Sequence, residues 1–119
     1  MAKIVQVLNS MISNKKKISN VLLKHTEYFF LYNGVYKWSI RRTQDSQSYD
    51  YDVFFYPLNN VTIEDVSSVT NWDGLDFVMY QTKDIKTQEA YETFQELYQI
   101  VSEKLYGLDK IFDEIINDN

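Results

Sequence analysis

Cysteine is absent from this chain of 119 residues, so neither a disulfide nor a thiolate metal ligand is open to it. That absence suits a reducing compartment, and a cytoplasmic location is expected. Histidine occurs once, at position 25, which excludes histidine metal clusters, paired-histidine nuclease sites and histidine relays. The three glycines stand far apart, so there is no loop to cradle a phosphate, no dinucleotide fingerprint and no Gly-x-Ser-x-Gly turn to present a nucleophile. His25 is accordingly read as a residue at a helix C-terminus, facing the dipole and solvent. Long apolar runs are also missing, since nothing approaches the ~20 residues that span a bilayer. The opening Met1-Ala2-Lys3-Ile4 stretch has no basic region followed by an apolar core, so no secretory leader is expected.

What is present has the balance of a globular domain, with 45% hydrophobic and 24% charged residues. One domain covering 1–119 is expected, because a chain of this size buries enough surface for a single core. Aromatic residues reach 16%, with ten tyrosines among them. The net charge of −5 is divided unevenly, residues 1–48 carrying +6 and residues 49–119 carrying −11. Pairing across a small fold would cancel much of this division. A surface with one acidic side would instead suit a basic partner.

Periodicity sets the expected elements. Ile4, Leu8, Met11, Ile18 and Leu22 form one helical stripe, so a helix is expected over 2–24, with a break at Ser13-Asn14 as the alternative. The period then changes. Glu27–Tyr32 and Val35–Arg42 read as strands around Asn33-Gly34, the residues a type I′ hairpin turn demands. A two-residue turn places Tyr32 opposite Val35 and Glu27 opposite Ile40. Residues 43–48 read as a polar loop and 49–56 as a third strand with Arg41 beside Asp50. Residues 58–73 fit a short helix or a strand, Asp73-Gly74 marks a turn, and 75–81 reads as a further strand. Thr87 is the expected N-cap of a last helix whose stripe runs through Tyr91, Phe94, Tyr98, Val101, Leu105, Leu108, Phe112 and Ile115; the unbroken stripe favours a rod continuous or slightly bent across Gly107, with a C-cap at Gly107 and a short terminal helix from about Asp109 as the alternative. The expected fold is α+β in two layers: an antiparallel sheet of three to five strands, a meander around the Asn-Gly hairpin, with N- and C-terminal helices packed on one face.

Three groups of side chains compete for a role. Glu89, Glu92, Glu96 and Glu103 share one side of the last helix, extended by Asp109, Asp113, Glu114 and Asp118, and form a candidate acidic docking face. Tyr28, Phe30, Tyr32, Lys37, Arg41, Phe54 and Tyr56 fall on one face of the expected sheet, as a dimer interface, a covered face or a platform for single-stranded nucleic acid. Asp50 and Asp52 on that face, with Asp73 and Asp76 around a turn, are the carboxylates a divalent metal would need. Asp50 and Asp52 would also repel phosphate. The resulting expectation is a small acidic, non-enzymatic module that binds a protein, of the inhibitor, immunity or chaperone-like kind, without a cofactor. A homodimer, a single-strand nucleic-acid binder and a carboxylate-metal enzyme are the alternatives.

Overall fold

The computed structural model describes residues 1–45, 47–69 and 74–118. Its centre is a five-stranded antiparallel sheet in simple meander order, made of β1 (Ile18–Lys24), β2 (Glu27–Tyr32), β3 (Tyr36–Asp45), β4 (Ser48–Tyr56) and β5 (Val78–Gln81). The helices α1 (Lys3–Ser13) and α4 (Gln88–Tyr106) pack together on one face. The α+β architecture with terminal helices on the sheet is therefore as the periodicity indicates. The second face is also covered. The short helix α2 (Ile63–Ser67), closed by a capping box in which Thr62 and Asp65 satisfy each other's backbone N–H, lays Ile63 and Val66 over Phe29, Phe54 and Tyr56. Residues 58–69 thus hold a helix rather than a strand. A further short helix, α3 (Thr82–Ile85), links β5 to α4.

The first helix stops half-way along its expected span. Asn14 leaves helical geometry while its side-chain amide donates to the Ser10 carbonyl at 2.8 Å, ending α1 on its own polar group. One 3-10 turn over Lys15–Lys17 leads into β1, so residues 18–24 are strand and not helix. The helical spacing of Ile18 and Leu22 is coincidental. A bulge sets Asn20, at positive φ, and Val21 together opposite Phe30, which turns Ile18 toward α1 and α4 and Leu22 toward α2. His25, also at positive φ, lies in the β1–β2 turn and not at a helix end.

The Asn33-Gly34 turn has positive φ at both residues, but Val35 falls outside the ladder and Tyr32 pairs with Tyr36. That one-residue slip exchanges the faces of β2. Glu27 now stands opposite Arg41 instead of Ile40, and Tyr28 and Phe30 turn toward α1 and α4 beside Trp38 and Ile40. Glu27 gains the Ser39 and Tyr56 hydroxyls as donors, while β2 loses nothing because both its faces are apolar and both are covered. Between β3 and β4 the ladder continues to Asp45 and Ser48, a two-residue slip from the expected register that preserves faces and gives Arg41 to Asp52 rather than Asp50. The Asp73-Gly74 turn lies partly outside the described residues; Gly74 has positive φ.

Thr87 caps α4 by accepting from the Ala90 amide at 3.1 Å, as its position indicates. The buried side of α4 is Ala90, Thr93, Phe94, Leu97 and Val101, with Tyr91, Tyr98 and Leu105 half-buried at its margin. Gly107, at φ +64°, ends the helix, and α5 (Leu108–Asn117) starts immediately after it, so the expected rod is broken. A Cβ at Gly107 would meet nothing within 4 Å, which leaves the left-handed backbone as the reason for glycine. Gly107→Ala is expected to cost about 1 to 2 kcal/mol and Gly107→Asn less, read as shifts in a thermal melt.

Candidate functional site: the acidic C-terminal helix pair

Glu89, Glu92 and Glu96 are exposed on α4 and Glu103 is half-buried, so the acidic face exists at the spacing the sequence indicates. Gln88 donates to Glu92 at 2.9 Å and Gln99 to Glu103 at 3.1 Å, but no Lys or Arg among the described residues forms an ion pair with these four carboxylates. Past Gly107 the acidic surface continues with Asp109, Asp113 and Glu114 on α5 and Asp118 at its C-cap. Lys15 reaches Asp109 at 3.6 Å, an exposed pair that joins the basic N-terminal part of the chain to the acidic C-terminal part, as Arg41 and Asp52 do within the sheet. Lys104, between them, has its ammonium's pKa lowered by burial, against the opposing pull of Asp109.

The other side of α5 is apolar and uncovered. Leu108, Ile111, Phe112, Ile115 and Ile116 recur at spacings of three and one, a full helical stripe. None of them is buried, and Ile111, Phe112, Ile115 and Ile116 are 43, 52, 62 and 68% exposed. Sequence periodicity merged these residues with the stripe of α4. The signal for a separate element was Gly107 followed by adjacent apolar pairs, Ile111-Phe112 and Ile115-Ile116, which widen the stripe beyond what packing on one neighbour requires.

The second candidate set does not form a single face. Tyr28 and Phe30 are buried beneath the helix pair, Tyr28 meeting Tyr98 edge-on with ring centroids 5.4 Å apart, and Tyr32 packs half-buried in the same layer. Lys37, Arg41, Phe54 and Tyr56 project from the opposite face, because of the register slip in β2. There α2 and its approach cover Phe54 and Tyr56, Lys37 donates to the Leu58 carbonyl at 2.7 Å, and Arg41 binds Asp52 at 2.8 Å while lying over the Phe54 ring. The seven residues therefore supply two cores and their polar edges, and present no continuous aromatic and basic platform to bases or to a second copy.

The carboxylates of β4 are likewise engaged internally. Asp52 accepts from Arg41 and from the Gln81 amide at 2.9 Å, and Asp50 accepts from Thr82 at 3.1 Å and Tyr91 at 2.9 Å. Asp76 is exposed and Asp73 lies outside the described residues. Among the described residues, no three His, Cys, Asp or Glu side chains converge as a metal site would require. No helix of the described residues is long and apolar enough to cross a membrane.

Buried tyrosines make stability fall at high pH. Tyr56 hydrogen-bonds Ser39 at 2.7 Å and faces Glu27; burial above all pushes its pKa far up, with Glu27 adding to the effect and Ser39 opposing it. Burial also raises Tyr28 and Tyr51, and the hydrogen bond to Asp50 raises Tyr91. Below the ordinary tyrosine value of about 10 both folded and unfolded chains keep these protons; above it the unfolded chain releases them first, so stability drops. Lys104 acts in the opposite sense, one group against several. The urea midpoint is expected to fall between about pH 9.5 and 11, and less steeply in Tyr56→Phe.

No protein-family model, curated protein or solved structure matches this chain.

Proposed function

We propose that the protein is a non-enzymatic interaction module, of the inhibitor or immunity type, which docks a basic protein through α5 and the adjoining acidic face of α4. The observation that carries this reading is the apolar stripe of α5, exposed from Ile111 to Ile116 and bordered by carboxylates. An amphipathic helix laid into an apolar groove is a common recognition mode, and Ile111, Phe112, Ile115 and Ile116 stand at the required spacing. Charge selects the occupant. α5 and its C-cap carry Asp109, Asp113, Glu114 and Asp118 against Lys110, with Lys15 paired to Asp109 and Lys16 and Lys104 lining the same hollow; the surplus of carboxylates along the helix itself favours a groove rimmed with Lys and Arg over a second copy. Glu89, Glu92 and Glu96 extend the same charge along α4 and would speed the encounter. A cysteine-free chain suits cytoplasmic work of this kind.

A photo-reactive benzoylphenylalanine tests this in cells, placed either at Phe112 or at the exposed Lys83 of α3. Cross-linked adducts to a basic protein are expected from position 112 and not from position 83. Equal adducts from both positions, or adducts to nucleic acid from 112, would overturn the reading.

A further inference from the structure

Two neighbouring arginines on β3 have opposite fates. Arg41 is neutralised by the buried Asp52. Arg42, on the other face of the strand, has no carboxylate within ion-pair distance among the described residues. Rings hold it instead: its guanidinium carbon lies 4.2 Å from the Tyr49 ring centroid and 4.9 Å from that of Tyr98. These are cation–π distances, and they hold the charge beside the rings without an anionic partner among the described residues. Tyr98 is itself fixed by Tyr28, 5.4 Å away, and by Tyr51, 5.6 Å away, so on that side the exposed arginine leans on a ring that rests on the core, while Tyr49 on the other side is exposed.

This arginine lines a cleft of about 460 Å³ between the sheet and α4, within the size range of small-molecule sites. The cleft wall carries the hydroxyls of Tyr28 and Tyr51 and the amide of Gln95 beside Arg42. Arg42 also lies near enough to Tyr51 to favour that hydroxyl's ionised form against the effect of burial. Glu103 is the one acidic side chain in the lining, and Gln99 donates to it. At the mouth stands Tyr106, 62% exposed, offering a ring for stacking.

We infer that this cleft binds a flat aromatic monoanion, its charged oxygens on the Arg42 fork and its ring against Tyr106. A planar two-donor fork matches carboxylate and phosphate oxygens, and ring stacking is open to any π-faced body. Glu103 limits the charge: a single negative group can sit on Arg42 away from that carboxylate, and a dianion is disfavoured by it. Carboxylates and phosphodiesters share this chemistry, and the probes distinguish them. The inference is independent of partner docking by α5.

Titrations of the full chain with 2-naphthoate, 3′,5′-cyclic AMP and the uncharged 2-naphthamide, followed by amide chemical shifts, test it. At least one anion is expected to saturate with Kd below about 1 mM, and the one that does identifies the source. Arg42→Gln is expected to weaken that binding about tenfold or more, and the solvent-facing Tyr106→Ala about threefold or more. If Arg42→Gln does not fold, Tyr106→Ala alone carries the comparison. Failure of both anions to saturate by about 10 mM, equal binding of the naphthamide, or unchanged affinity in the folded variants would overturn the inference.

Discussion

Phe30→Ala is expected to lower stability by about 3 to 5 kcal/mol, a large share of the roughly 5 to 15 kcal/mol that holds a domain together. Phe30 is fully buried in β2, where it meets the core built by α1 and α4, and truncation leaves a cavity that the flanking strands are too constrained to close. The effect should appear as a lower urea midpoint with an unchanged slope, since the surface exposed on unfolding scarcely changes. Phe112→Ala is the matched control. That ring is half in solvent on α5, so its loss should move stability by no more than about 0.5 kcal/mol. Equal effects in the two variants would mean that Phe30 lies on an open surface and not in the core beneath α1 and α4.

Asp52→Ala is expected to cost about 2 to 3 kcal/mol. The carboxylate is buried and serves two donors, Arg41 at 2.8 Å and the Gln81 amide at 2.9 Å, so its removal leaves both without their acceptor. A fully enclosed pair would lose more. Arg41 is 38% exposed, and water recovers part of what its guanidinium loses. A double-mutant cycle with Arg41→Gln should return a coupling of about 1 kcal/mol or more, measured by urea unfolding. The pair joins β3 to β4, while Gln81 belongs to the edge strand β5, so early loss of protection of β5 amides in hydrogen exchange should accompany the global change.

Where local chemistry decided the outcome, the sequence was legible. Asn33-Gly34 adopted its positive φ angles, Thr87 capped α4, Tyr49–Tyr56 fell within β4, and the acidic spacing of α4 reached the surface. Failures arose where two arrangements satisfied the same pattern. β2, Glu-Tyr-Phe-Phe-Leu-Tyr, is apolar on both sides, so alternation could not choose its register; in the register adopted, Glu27 accepts from the Ser39 and Tyr56 hydroxyls. Ile18 and Leu22 mimicked a helical turn because a bulge at Asn20-Val21 supplies the spacing from within a strand. At the candidate site, the glutamates were visible but the apolar stripe of α5 was not. Its period matched that of α4, and only the left-handed geometry of Gly107 separates the two helices and leaves the second without cover.

Uncovered apolar surface on α5 makes a quantitative demand on any partner. Burying Ile115 and Ile116 should contribute about 1.5 to 3 kcal/mol each, so Ile115→Asp with Ile116→Asp should weaken docking at least about a hundredfold. Their exposure means that folding should not suffer. The decisive measurement is calorimetric titration of the protein cross-linked through position 112, after its purification, into the wild-type chain and into this double variant. Strong binding that weakens with added salt, and that the double variant loses while keeping its melting temperature, is the predicted result. Equal affinity for both chains would contradict the assignment of α5 as the docking surface.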